Sequence, residues 1–435
     1  MSGDAPADAA DAAPDVVCLG ESMVTFLPSR PGPLADVPSF TRAIGGAESN
    51  VACALAAAGH RAKWVGRVGR DGFGDHLLDT VGGHGVDVTA VRRDPHRPTG
   101  VYFRTDQDRA TGAHEVVYYR AGSAASAMSP ATVPYETVAG ARILHLTGIT
   151  AALSEDCLAL MRDLTAPRPG RPLVSFDVNH RPALWRDGGA PDVLLALARR
   201  ADVVFVGADE AEGLWGLGSA RAVFGALPEP GVVVVKLGAD GAVAVDRRSG
   251  GSGSGDGGAG EAGSGGSGSG GGRTGDRRPG SRVAPEEGTF VPAPRVDVVS
   301  PIGAGDAFAA GFLSATLRGL GLGDRLRHGH LMAAAALTVP GDLAAARRPS
   351  WTDRADRLVA LDDAAWETLH LGPGWTEAGR EDAGRPGDGR KPSGGAGSGG
   401  AAPDRAGDDR EDAGRTAARP AGPGRTGNDQ EVRTP

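Results

Sequence analysis

This sequence is poor in cysteine: there are three in 435 residues, at Cys18, Cys53 and Cys157, scattered through apolar stretches. An odd and dispersed set supports neither a disulfide framework nor a thiolate metal site, and reduced thiols imply a cytoplasmic location. Long hydrophobic runs are missing too, none reaching the ~20 residues that span a bilayer. Residues 1–14, mostly Ala, Asp and Pro, lack the basic start and apolar stretch of a signal peptide and read as a solvated tail. The net charge is −8 with no basic patch, which argues against a nucleic-acid partner. No Gly-Lys-Ser or Gly-Lys-Thr follows the glycine turns, so a P-loop is excluded.

From about Gly374 onward the chain is Gly, Arg, Asp, Pro and Ala with almost no aliphatic residues. Too little apolar area is available there to offset ordering entropy, so residues 373–435 are expected to remain unfolded. Residues 249–282 form a Gly/Ser tract that is flexible by composition. Apolar runs flank it on both sides, and too little chain follows to build a second large core. The tract is therefore expected as an overgrown surface loop inside one domain covering 15–372.

Within that domain apolar runs alternate with amphipathic stretches. Val16–Leu19, Lys63–Val68, Ile143–Leu146, Leu173–Phe176, Val203–Val206 and Val232–Leu237 read as buried strands. Glu48–Ala58, Gly72–Val81, Glu155–Leu164, Pro191–Arg200 and Asp209–Trp215 read as helices. This alternation predicts an α/β fold, a mostly parallel central sheet with helices on both faces. Two β-prone runs break the pattern, Val101–Arg104 and Glu115–Arg120, separated by a polar turn over 106–112. They predict a hairpin, around 98–120, that forms a small β lid over a ligand or, more plainly, an antiparallel edge. Glu21, Thr147, Asp177 and Asn179 follow the ends of predicted strands and would converge on one crevice there.

The most informative segment is Val298-Val-Ser-Pro-Ile-Gly-Ala-Gly-Asp-Ala-Phe308. Gly303 and Gly305 remove side chains so that backbone N–H groups at a helix start can approach an anion, which the helix dipole also favours. Asp306 would repel a phosphate, so its presence points to an acceptor whose proton is removed as the phosphoryl group arrives. A glycine turn followed by an N-terminal helix acid is the plainer reading of the same residues. The third glycine of a dinucleotide fingerprint is absent.

These residues resemble the ribokinase-like, or phosphofructokinase-B, family of carbohydrate kinases. Ile44-Gly-Gly-Ala-Glu-Ser-Asn-Val-Ala52 is similar to its first signature and Ile302–Phe312 to its second, while Gly66–Gly74 and Lys236–Gly241 are also typical. Tyr118–Ser126 and Asp177–Trp185 are similar to the branch that phosphorylates 2-keto-3-deoxygluconate. The resemblance implies ATP-dependent phosphorylation of a terminal primary hydroxyl, with fructokinase or another neutral-sugar kinase as an alternative. A sugar-binding sensor that has lost catalysis is a further alternative. The resemblance implies Asp306 as base, Gly303, Ala304 and Gly305 as anion hole, and Gly45, Gly46 and Asn50 against the sugar. Tyr102 and Tyr118 would close over the acceptor. Arg120 and Arg181 would clamp a carboxylate, as their guanidinium geometry suits.

Lys236, Gly238, Gly241 and His330 would meet the nucleotide, His330 standing where relatives carry Asn. Glu210 would reach Mg²⁺ through water, although Gly207 replaces the usual Asn before it. Ser300 replaces an acid that helps bind a monovalent cation in relatives, so the resemblance carries K⁺ activation poorly into this chain. Lids of this family often pair, which would make a homodimer or higher homo-oligomer.

Overall fold

Valine builds the central sheet, because a β-branched side chain packs well on a pleated surface buried on both faces. The computed structural model describes residues 13–105, 116–185, 188–248, 288–341, 343 and 350–377. The turn expected at 106–112, the Gly/Ser tract and most of both expected tails lie outside the described residues, as does a second unit at 387–435.

In chain order the strands are β1 (Val16–Leu19), β2 (Met23–Pro28), β3 (Phe40–Gly45), β4 (Ala62–Val65), β5 (Arg67–Gly69), β6 (Arg92–Asp94), β7 (Val101–Arg104) and β8 (Val116–Tyr119). They continue as β9 (Ile143–Thr147), β10 (Leu173–Asp177), β11 (Val203–Gly207), β12 (Val232–Lys236), β13 (Ala242–Asp246), β14 (Thr289–Val291), β15 (Arg295–Val296) and β16 (His370–Leu371). The helices are α1 (Ala47–Ala57), α2 (Gly72–Gly83), α3 (Glu136–Ala139), α4 (Gly148–Ala151), α5 (Glu155–Leu164) and α6 (Ala190–Ala198). After them come α7 (Ala208–Trp215), α8 (Ala220–Ala226), α9 (Ala304–Leu317), α10 (Leu322–Leu337), α11 (Ser350–Val359) and α12 (Asp363–Glu367).

Eight strands form the main sheet in the order β14-β13-β12-β11-β10-β9-β1-β4. It is parallel from β4 to β12, with β13 and β14 antiparallel at one edge. The period of two sends alternate residues to opposite layers. Val16, Cys18, Val203 and Phe205 pack with α1, α2, α9 and α10, whereas Val17, Leu19, Val204 and Val206 pack with α5, α6, α7 and α8. Each fully buried valine contributes on the order of 1.5 kcal/mol. The strands flanking the Gly/Ser tract, β13 and β14, are hydrogen-bonded neighbours.

Two expectations change. The run read as one strand, Lys63–Val68, is split: β4 belongs to the main sheet, while β5 leaves it and pairs with β6. Gly66 sits at the break, where an added Cβ would lie 2.7 Å from the Trp64 ring. The hairpin of β7 and β8 is present, but it is half of a four-stranded sheet in the order β3-β2-β7-β8. Tyr102 and Tyr118 are cross-strand partners, with ring centroids 5.4 Å apart. Phe103, the next residue along, turns to the opposite side and stacks on Phe26 at 4.7 Å and edge-on to Phe40 at 5.3 Å.

The Gly66–Gly74 motif anchors this small sheet. Asp71 caps α2 through the N–H groups of Phe73 and Gly74, and it also accepts from the backbone N–H and hydroxyl of Thr99, two residues before β7. Gly74 is required by proximity, since a Cβ there would lie 2.3 Å from the Gly69 carbonyl. Gly303 caps the start of α9, and its φ of 78° favours glycine.

Candidate active site

Parallel strands that end together leave their last residues around a common crevice, and the crevice opens where the chain order reverses. Here the reversal lies between β1 and β9. A cavity of about 470 Å³ at this end is lined by Glu21 beyond β1, Ile149 beyond β9, Asp177 and Asn179 at the end of β10, Glu210 beyond β11 and Lys236 at the end of β12. The small sheet adds Met23, Gly45, Tyr102 and Tyr118, with Arg120 just beyond β8. The opposite wall is Pro301–Asp306.

The two glycine-rich segments meet here. In α1, Asn50 donates from Nδ2 to Oδ2 of Asp306 in α9 at 2.9 Å. Gly46 precedes α1 and could carry no side chain, since its Cβ would lie 2.5 Å from the Glu21 carbonyl oxygen. Ser49 donates to Ser22 Oγ at 2.9 Å. Glu48, wholly buried, accepts at Oε1 from Thr147 at 2.8 Å and Thr150 at 2.7 Å. Gly20 closes over it: a Cβ there would fall 2.1 Å from the carboxyl carbon. Burial pushes the Glu48 carboxyl up to about 7, against the opposing bonds from the two threonines.

Charges in the crevice are arranged in pairs. Lys236 Nζ bonds both oxygens of Asp177, at 2.8 and 3.0 Å, and stands nearest to the space above Gly305, 3.7 Å from the position of a Cβ there. Burial opposes its charge, but Asp177, Glu210 and Asp306 outweigh burial and hold its pKa above the ordinary value. Glu210 accepts from the backbone N–H groups of His180 at 2.9 Å and Gly207 at 2.8 Å. Across the crevice Arg120 is ion-paired with Glu21, whose other oxygen accepts from Ser123 at 2.7 Å. Arg181 is exposed and donates to the His180 carbonyl at 3.1 Å, with no ion pair to a described residue. Asn179 has a φ of 39°, an uncommon backbone state for a side-chain-bearing residue, and it faces the cavity.

The residues read from the sequence as acceptor site and anion hole thus line one cavity, with Lys236 and Glu210 among them. Three do not. Gly238 and Gly241, at φ 61° and 135°, make the turn that carries β12 back into β13, where Leu237 donates to the Gly241 carbonyl. His330 is buried in α10, bonded through Nε2 to the Val291 carbonyl at 3.1 Å and packed edge-on against Phe308. Burial lowers its pKa to about 4, so it is a neutral core residue. Arg120, expected to clamp a carboxylate, is paired with the buried Glu21. Glu48 was not singled out from the sequence; an acid in the first turn of a helix looks like an ordinary partner of the dipole.

Among the described residues no group of three or more His, Cys, Asp or Glu is placed to hold a metal ion, and no helix is long and apolar enough to cross a membrane. A carboxylate in the first turn of a helix, facing a polar crevice, suits a group-transfer enzyme acting on a small hydroxylated acceptor.

The family model described as pfkB family carbohydrate kinase matches residues 13–256 and 279–348, and the chain belongs to that family. It is a carbohydrate kinase with a ribokinase-like α/β fold. It is 33% identical to the 2-dehydro-3-deoxygluconokinase of Bacillus subtilis over 339 residues, 76% of this chain and 91% of that protein. Identity to the enzyme of the same name from Thermoproteus tenax is 36% over 244 residues, 54% of this chain and 72% of that one. Among solved structures, a PfkB protein from Polaromonas sp. JS666 is similar with a TM-score of 0.61 and 32% identity, covering 74% of this chain and 96% of that one. An uncharacterized sugar kinase from Pyrococcus horikoshii, solved in complex with ATP, shares the fold with a TM-score of 0.62 and 22% identity, covering 80% and 98%.

Proposed function

We propose that the protein transfers the terminal phosphoryl group of ATP to the terminal primary hydroxyl of 2-keto-3-deoxygluconate or a closely related sugar acid. The observation that carries this reading is the position of Asp306, held by Asn50 at the start of α9 and facing a crevice with arginines across it. The names of the Bacillus and Thermoproteus relatives support the acid substrate.

In this reading Asp306 takes the hydroxyl proton as the oxygen attacks the terminal phosphorus. The bond from phosphorus to the bridging oxygen breaks, and ADP leaves with the electron pair. Backbone N–H groups of Gly303, Ala304 and Gly305 face the transferring group, because the first N–H groups of a helix lack internal partners. Lys236, paired with Asp177, adds an ammonium group beside them. Gly45, Gly46 and Asn50 lie against the acceptor, Tyr102 and Tyr118 cover it, and Arg181 takes its carboxylate together with Arg120.

Glu210 fits a hydrated Mg²⁺ carried chiefly by the nucleotide phosphates, since it lines the crevice and its hydrogen bonds among the described residues come from two backbone N–H groups. The ion would neutralise phosphate charge. The outer face of the small sheet carries half-buried Phe26, Phe40 and Phe103 with exposed Tyr119, which suits a homodimer formed through that face. Free, buried Cys18, Cys53 and Cys157 suit a reducing cytoplasm.

One observation favours a second reading, a neutral-sugar kinase: Glu21 already offsets the charge of Arg120. A panel of neutral sugars and sugar acids, with ADP release measured with and without K⁺, separates the two. The acid reading expects kcat/KM highest on the sugar acid and lost by at least about a thousandfold in Asp306→Asn. Preference for fructose, or near-normal turnover by Asp306→Asn, would reject the substrate or the base respectively.

A further inference from the structure

Three successive residues of the first turn of α1 point in three directions about 100° apart. Glu48 bonds the threonines at the end of β9 and in α4, Ser49 bonds the β1–β2 connection, and Asn50 bonds Asp306 in α9. The first two bonds fix the turn against the body of the protein. That leaves Asn50, 3% exposed, with little freedom in where it presents its amide. A carboxylate accepts only, so Nδ2 is the atom turned to Asp306 and Oδ1 faces away. Oδ1 is buried and has no hydrogen-bond partner among the described residues.

We propose that Asn50 is a positioning residue for the base: its amide N–H holds Oδ2 of Asp306, so that Oδ1 is turned to the acceptor hydroxyl, while its own Oδ1 awaits a hydroxyl of the acceptor. This deepens the kinase reading and rests on Asp306 being the base. A hydrogen bond to the ionised form also favours that form, so the same contact keeps Asp306 ready to accept a proton. Among the described residues, the other charged groups that line the same crevice are Lys236 from β12, the Asp177 it pairs with from β10, Glu210 from α7, Glu21 beyond β1, and Arg120 and Arg181. None of them is altered by a change at Asn50.

The test is the pH dependence of kcat and kcat/KM for wild type, Asn50→Ala and the isosteric Asn50→Asp, on the sugar that the panel selects. Losing the donor should lower kcat by about ten- to a hundredfold and move the acid limb of kcat/KM to higher pH, by about one unit in Asn50→Ala. The shift should be larger in Asn50→Asp, where a second carboxylate would lie within hydrogen-bonding reach of Asp306. In an Asp306→Asn background, Asn50→Ala should lower kcat no further. A raised KM with an unmoved acid limb in both variants would overturn the proposal and leave Asn50 as a sugar contact alone. A multiplicative loss of kcat in the double variant would overturn it too. Failure of the base reading is distinct, because Asp306→Asn itself would then stay active. Melting temperatures identify a variant that does not fold, and Asn50→Asp then carries the test alone.

Discussion

Glu48 makes the pH dependence of stability calculable. Its carboxyl is wholly buried, its Oε2 has no hydrogen-bond partner among the described residues, and the Gly20 backbone packs directly against it. Its pKa rises from an ordinary 4.5 to about 7 on folding. The folded state therefore binds the proton more tightly than the unfolded chain, and the neutral form suits the fold. Below pH 4.5 both states are protonated and the group costs nothing. As pH rises, the unfolded chain loses its proton first, so stability falls through the interval and levels off above pH 7. At about 1.4 kcal/mol per pH unit, the interval between 4.5 and about 7 amounts to about 3 kcal/mol. Glu48→Gln keeps the shape and an acceptor for Thr147 and Thr150, and it removes the titration. The melting temperature of Glu48→Gln relative to wild type should therefore climb by about 5 °C between pH 5 and pH 8. Differential scanning fluorimetry of the two proteins without ligand reads this directly, and other titrating groups cancel in the difference. A gap that stays flat with pH, or that narrows as pH rises, would refute the reasoning.

Arg181 is exposed and unpaired to any described carboxylate, so Arg181→Ala should leave the melting temperature nearly unchanged while raising KM for a sugar acid about ten- to a hundredfold, with little effect on a neutral sugar. Arg120→Ala should cost about 3–5 kcal/mol because it strands the buried Glu21 charge, and adding Glu21→Gln should restore most of that stability in a denaturant titration. His330→Ala should lower the melting temperature by several degrees through lost packing on Phe308, yet leave KM for ATP within about twofold; a tenfold rise would return His330 to the nucleotide site.

Sequence reading reached as far as local pattern reaches. β1, β9, β10, β11 and β12 were legible because a strand covered on both faces is apolar at every position. β2 and β3 were not, because Met23–Pro28 and Phe40–Gly45 are mixed and partly exposed, and they acquire strand pairing only beside β7. The site shows the same boundary. Gly303 to Asp306 could be read from a helix start, and Gly45 to Asn50 from another, since each is a local backbone problem solved by glycine. The pairing of charges could not. Glu21 with Arg120, Lys236 with Asp177 and Asn50 with Asp306 join segments far apart in the chain, and each pairing changes what its members can do. Arg120 ceases to be a free cation, Lys236 is pinned above the first turn of α9, and Asn50 acquires a second task. Residue identity therefore limited the chemistry to a small set of groups, and the topology that brings α1 and α9 together determined which of those groups act on one another.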